Sequence, residues 1–274
     1  MVLFPNAKIN IGLNITGRRP DGYHNLETVM IPAGWSDVLE IVPAKGADTT
    51  LTLSGRRVDC DPEKNLVMKA YRALDAVEPL PPVDIYLRKI IPDGAGLGGG
   101  SADASFTLVA LNRMFDLGLS DATLSEIAAG LGADCPFFIH NRPMLATGTG
   151  TDLTAVDIPQ LQGLTLLIVK PQVKISTAEA YASVTPTRPA EALSDLILEP
   201  VGNWRGKIVN DFEKSLDTRF PIIRKIKEAL YNGGAMYASL SGSGSAVYGI
   251  FDDDRLTERL GQCFQSCDIF KCTL

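Results

Sequence analysis

Histidine is scarce in this chain: 274 residues include two, His24 and His140. The five cysteines are Cys60, Cys135, Cys263, Cys267 and Cys272. The spacing of the last three fits no zinc pattern and both histidines are remote from them, so no metal site is expected. The odd cysteine count, with no signal peptide, predicts reduced thiols in a cytoplasm. Cys135 reads as a small buried hydrophobe rather than a nucleophile. No run of about 20 apolar residues is present, so no membrane span is expected. The ordered pattern begins almost at residue 1, which predicts no targeting peptide. Positive charge is also short: 26 Lys and Arg against 32 Asp and Glu, a net −6. That balance argues against a nucleic-acid surface, which needs clustered cations to displace counterions. Hydrophobic residues make up 45% and charged residues 21%, the mixture of a soluble globular protein.

The stretch that carries the chemistry is Ile90-Ile-Pro92-Asp-Gly94-Ala-Gly96-Leu97-Gly98-Gly99-Gly100-Ser101. Glycine visits left-handed conformations and lets a ligand approach the main chain. Upstream, Val83–Lys89 alternates apolar and polar residues as a strand does. Downstream, Ser101–Phe115 is rich in Ala and Leu and reads as a helix. Strand, glycine loop and helix together aim backbone N–H groups and the positive end of a helix dipole at an anion, for which phosphate is the natural candidate. Two familiar phosphate loops fail on spacing. No Lys follows the glycines as a P-loop requires. A G-x-G-x-x-G match forced from Gly94, Gly96 and Gly99 lies too far along the chain for a dinucleotide fold.

Elsewhere, Ala7–Ile15 alternates strictly: Ile9, Ile11, Leu13 and Ile15 share one strand face, and Lys8, Asn10, Gly12 and Asn14 share the other. Gly and Asn are poor strand formers, so the polar row reads as a used face suited to an anionic or hydroxyl-bearing ligand. A Gly- and Pro-containing turn ends in Tyr23-His24, which either packs internally or stacks on a heterocycle. Short strands are expected around Glu27–Pro32, Asp37–Val42 and Thr49–Leu53, and helices over Asn65–Val77 and after Ser120. Asp134, between Gly132 and Pro136, either caps the next segment or acts as a proton acceptor beside a pocket. Gly148-Thr-Gly-Thr reads as a hinge or turn, and the domain boundary is placed near it, giving 1–150 and 151–274. Leu164–Val169 reads as a buried strand. Helices are expected around Pro189–Leu198, Lys207–Leu216 and Pro221–Tyr231. A second glycine-serine loop, Ser241-Gly-Ser-Gly244, precedes an alternating strand.

Four separated stretches in this order resemble the GHMP kinases: Ala7-Lys8-Ile-Asn10, Pro92–Ala104, Gly132-Ala-Asp134-Cys-Pro and Ser241–Gly244. Asp21-Gly-Tyr23-His24 and Gly-Leu-Gly-Gly-Gly-Ser resemble the branch that phosphorylates 4-diphosphocytidyl-2-C-methyl-D-erythritol on the non-mevalonate isoprenoid route. The resemblance implies a two-domain α/β fold (α+β in arrangement), with an N-terminal domain of the ribosomal-protein type, a ferredoxin-like C-terminal domain and the active site in the cleft between them. It implies ATP as phosphoryl donor and the C2 hydroxyl as acceptor. By the same match Asp134 takes the hydroxyl proton and Lys8 steadies hydroxyl and phosphate. Asn65, Leu66 and Lys89 line the adenine side, and Pro92, Gly94 and Gly96–Ser101 wrap the phosphates. Asn10, Tyr23, His24, Thr177, Tyr181 and Gly242, Ser243 and Gly244 face the acceptor, with Tyr23 and Tyr181 sandwiching its cytosine. The chain departs from the pattern at Gly99 and Gly100, where relatives carry hydroxyls, and at Ser101-Ala102-Asp103. Mg²⁺ is therefore expected on ATP oxygens and water rather than on protein side chains. The implied protein is a monomer or weak homodimer. The alternatives are another small-molecule kinase of this family, such as homoserine kinase, and a non-catalytic nucleotide sensor.

Overall fold

The computed structural model describes residues 1–58, 60–182 and 184–274. The chain forms two compact units that exchange segments. One comprises Met1–Ala7, Trp35–Asp93 and Gly98–Arg142; the other comprises Lys8–Gly34, Gly94–Leu97 and Pro143–Leu274. Gly148 and Gly150, at φ +64° and +97°, form the tip of a hairpin between Met144–Thr147 and Asp152–Ala155, inside the second unit.

The first unit is built on a four-stranded sheet in the order Val2–Leu3, Val38–Pro43, Val83–Lys89, Thr50–Gly55. Val83–Lys89 runs antiparallel to Val38–Pro43 and parallel to Thr50–Gly55. Its period-two pattern buries Val83, Ile85, Leu87 and, on the same face, Lys89. Helices Leu66–Asp75 and Gly99–Met114 bring Val67, Leu74, Leu108 and Leu111 onto that core with Leu39 and Ile41. Asn65 starts the first of these helices, its Oδ1 accepting the Val67 N–H at 2.9 Å. Ser120 starts Asp121–Ala129 in the expected way.

The second unit holds two four-stranded sheets. In one, Asn6–Arg18 neighbours His24–Ser36, which pairs with Met144–Thr147. The expected short strand at Glu27–Pro32 is thus the middle of a 13-residue strand. In the other sheet Thr165–Pro171 is buried at every position between Val247–Phe251 and Cys267–Thr273, as its apolar run Leu166–Val169 requires. Leu13, Ile15, Val169, Phe212, Ile226 and Phe251 share this unit's core. The helix expected over Lys207–Leu216 starts only at Phe212. Lys207 and Ile208 instead lie in a turn, both amides donating to Trp204 O, and Asn210 forms a bridge to Leu13 of the long strand: Leu13 N–H donates to Val209 O and Asp211 N–H to Leu13 O, each at 2.9 Å. Among the described residues no helix is long and apolar enough to cross a membrane.

Candidate active site

The glycine loop has the conformation its sequence demands. Gly94, Gly96 and Gly98 sit at φ +59°, +74° and +71°, where a side chain is strained. Gly98 occupies the N-cap of Gly99–Met114 and offers no side-chain capping bond. The N–H groups of the first turn are therefore left for another acceptor, as an anion site needs. A Cβ at Gly99 would come 3.1 Å from Ile91 Cγ2 and 3.5 Å from Lys89 Nζ. Packing against Ile91 thus explains why a hydroxyl-bearing residue is missing there. In the second unit the loop's first half meets the late glycine turn. Ser241 Oγ donates to Gly96 O at 2.9 Å and Ala246 N–H to Ala95 O at 3.0 Å. A Cβ at Gly96 would lie 2.0 Å from Ser241 O, so only glycine fits.

Lys89, expected on the adenine side, is the centre of a buried ion cluster. Its Nζ donates to Asp37 Oδ2 and, at 2.5 Å, to Asp103 Oδ2. Asp37, Lys89 and Asp103 are 0%, 7% and 2% exposed. Asp37 Oδ1 also accepts the N–H of Ile90 and, at 2.9 Å, of Ile91, where the chain turns toward the glycines. Two carboxylates face one ammonium. Burial opposes the charge on Lys89, but the two carboxylates outweigh it and hold the ammonium above its usual range. Burial pushes the Asp103 carboxyl up to about 7, with Lys89 opposing and Asp37 adding to the rise. Among the described residues Asp103 Oδ1 has no hydrogen-bond partner.

The polar row on Asn6–Arg18 is buried, with Lys8 and Asn10 each 3% exposed and Asn14 8%. Lys8 Nζ donates to Asn10 Oδ1, and Asn10 Nδ2 donates to Thr28 Oγ1 at 3.1 Å. Thr28 Oγ1 in turn donates to Gly12 O at 2.5 Å, so its proton is committed and it can only accept from Asn10. That fixes the carboxamide with its oxygen toward Lys8. Tyr248 OH, from the neighbouring sheet of the same unit, donates to Asn10 O at 2.8 Å.

Asp134 stands at the N-cap position of Cys135–His140 without making a side-chain capping bond, which removes the capping role left open by the sequence. Cys135 beside it is fully buried, and burial pushes its thiol up to about 11, the state of an inert thiol. His24 and Tyr181 stack with centroids 5.0 Å apart, and Tyr181 meets Phe212 edge-on at 4.9 Å. Tyr23 is 67% exposed. The structure therefore brings His24 against Tyr181. Thr177 is exposed at the start of Thr177–Tyr181, whose Ser176–Glu179 capping box is complete. Gly242 and Gly244 adopt φ +55° and +85° in the turn after Tyr237–Leu240.

Sequence patterns match the family descriptions "GHMP kinases N terminal domain" over residues 65–142 and "GHMP kinases C terminal" over residues 192–266. The chain belongs to the GHMP kinase family. Among GHMP kinases it is 50% identical over 272 residues to a 4-diphosphocytidyl-2-C-methyl-D-erythritol kinase of Bacteroides fragilis, covering 97% of this chain and 99% of that one. A kinase of the same name from Parabacteroides distasonis is 51% identical over 252 residues, 92% of each chain. A crystal structure of a 4-(cytidine 5'-diphospho)-2C-methyl-D-erythritol kinase superposes with a TM-score of 0.81 at 29% identity, covering 99% of this chain and 98% of that one. A mevalonate kinase structure, at 15% identity and a TM-score of 0.76 over 100% and 98% of the two chains, shares the fold. The GHMP kinase fold, with its N- and C-terminal family domains, is thus present here.

Sequence reasoning missed Asp37, Thr28 and Tyr248 as site-building residues. Asp103 was visible only as a departure from the family pattern. Asp37 meets Lys89 across 52 residues, so no local spacing marks it.

Proposed function

We infer that this GHMP kinase transfers the γ-phosphate of ATP to the C2 hydroxyl of 4-diphosphocytidyl-2-C-methyl-D-erythritol, a step in making isoprenoid precursors. The observation that carries the reading is the near-end-to-end match, at half identity, to kinases of that name. The acceptor oxygen bonds to the γ-phosphorus, the bond to the β-phosphate oxygen breaks, ADP leaves and the hydroxyl proton goes to a base. Asp134 is that base. Lys8, with its ammonium aimed at the fixed carboxamide of Asn10, supplies positive charge where the phosphoryl group gains negative charge. The glycine loop from Pro92 to Ser101 cradles the ATP phosphates, and Asn65, Leu66 and Lys89 bound the adenine side. ATP arrives as its magnesium complex. Its Mg²⁺ would be held by nucleotide oxygens and water rather than by protein side chains. Thr177 and Gly242–Gly244 face the acceptor's phosphates, and Tyr23, His24 and Tyr181 its cytosine. The enzyme works in the cytoplasm as a monomer or weak homodimer.

The base assignment gives a direct test of the acceptor. Tyr181→Ala removes an aromatic face worth roughly 1–3 kcal/mol per stacked base. Steady-state kinetics should then show the acceptor KM raised about 5- to 150-fold, with the ATP KM unchanged and Tyr181→Phe close to wild type. An unchanged acceptor KM would place the cytosine elsewhere.

A further inference from the structure

Asn210 was not among the residues the sequence pointed to. Its two neighbours bind the long strand: Val209 O accepts the Leu13 N–H and Asp211 N–H donates to Leu13 O, while Asp211 Oδ2 accepts the Ile15 N–H at 2.7 Å. Asn210 itself is 2% exposed, and its side chain spans to the late glycine turn. Nδ2 donates to Leu240 O at 3.0 Å and to Gly242 O at 2.8 Å, and Oδ1 accepts the Phe212 N–H at 3.0 Å. Both amide protons and the carbonyl are used. An ionised carboxylate of the same shape could not replace it, because it has no proton to offer two carbonyls.

The turn it holds touches both working surfaces of the second unit. A Cβ at Gly242 would come 3.2 Å from Asn10 Oδ1, the oxygen that accepts from Lys8, and 3.4 Å from Gly96 O. Ser241 Oγ holds Gly96 O from the other side. The turn is therefore wedged between the Lys8–Asn10 pair and the first half of the glycine loop. Its height in that wedge is set by the two carbonyls that Asn210 grips.

We propose that Asn210 is a positioning residue for phosphoryl transfer: it fixes the Leu240–Gly244 turn, and through it the acceptor-side Gly242 and the Asn10 carboxamide. The proposal rests on the assignment of Gly242–Gly244 to the acceptor. It also rests on the reading of the chain as a kinase of that acceptor, which turnover by the unaltered protein tests on its own.

The test is the pH profile of Asn210→Asp relative to wild type from pH 6 to 9, with thermal unfolding followed at each pH. Burial and two facing carbonyls raise the pKa of the introduced carboxyl. At low pH its O–H donates to one carbonyl; at high pH the carboxylate repels both. The acceptor kcat/KM relative to wild type should fall at least tenfold at pH 8.5, and the deficit should shrink several-fold at pH 6. Asp211, which holds Ile15 N–H, and Glu213, which accepts from Leu240 N–H and pairs with Lys227, are unchanged in the variant and cancel in the ratio. A pH-independent ratio, or a loss explained wholly by the unfolded fraction, would overturn the proposal. Should the aspartate variant not fold, Asn210→Ser keeps one donor without charge. It should show a roughly tenfold lower acceptor kcat/KM while folded, and wild-type kinetics would overturn the proposal.

Discussion

Asp134→Asn is expected to lower kcat by about 10²- to 10⁴-fold, the range typical of a removed general base. The substitution keeps the shape and takes away the ability to accept a proton. It should leave the fold intact, since the two side chains have the same shape and the backbone here lies in the ordinary helical region at φ −81°, ψ −15°. Affinity for ATP should stay within about twofold, because the residues assigned to the phosphates are those of the glycine loop. Single-turnover phosphoryl transfer and calorimetric titration with ATP separate the two effects. Wild-type turnover would remove Asp134 from its role.

Lys89→Met is expected to cost about 3–5 kcal/mol of stability at pH 8, because it leaves Asp37 and Asp103 buried without their cation. The loss should be smaller at pH 5, and the sign follows from linkage. Asp103 already titrates near 7 in the folded protein against 3.8 for an ordinary aspartate. Between those values the folded state binds more protons than the unfolded one, so this group's contribution weakens as pH rises through that window. Removing Lys89 takes away the main opposing influence and steepens the dependence. Urea unfolding at pH 5 and 8 measures it. Adding Asp103→Asn to Lys89→Met should restore part of the loss at pH 8, since one buried charge remains instead of two. The ATP KM should rise as well, because Asp37 holds the Ile90 and Ile91 amides that lead into the glycines. Equal stability of Lys89→Met and wild type at pH 8 would mean that the cluster is not charged as described.

The parts legible in the sequence are those whose physics is local. Gly96 had to be glycine, and the reason appears as the Ser241 carbonyl 2.0 Å from where a Cβ would be. The alternation from Ala7 to Ile15 gave the strand and its polar row. What that row does was legible only in part: Asn10 is held by Thr28 of the neighbouring strand and by Tyr248, far along the chain. Lys89 was marked only by the family resemblance, as a residue on the adenine side. Its buried partners Asp37 and Asp103 come from other elements, and only the fold brings two carboxylates to it. The segment before Phe212 read as helix because its composition permits one. Pairing with Leu13 and burial of Asn210 overrode that weak local preference. Asn210 carries no motif at all, and its meaning lies in two carbonyls 30 and 32 residues away.

ADP release by the purified protein with Mg-ATP tests the central claim most directly. The acceptors would be 4-diphosphocytidyl-2-C-methyl-D-erythritol, its parent without the cytidyl group, homoserine and mevalonate. Release with the cytidylated acceptor alone is the predicted result. Release with homoserine or mevalonate instead would contradict the acceptor assignment while keeping the fold, and bound ATP with no release from any acceptor would contradict the kinase reading itself.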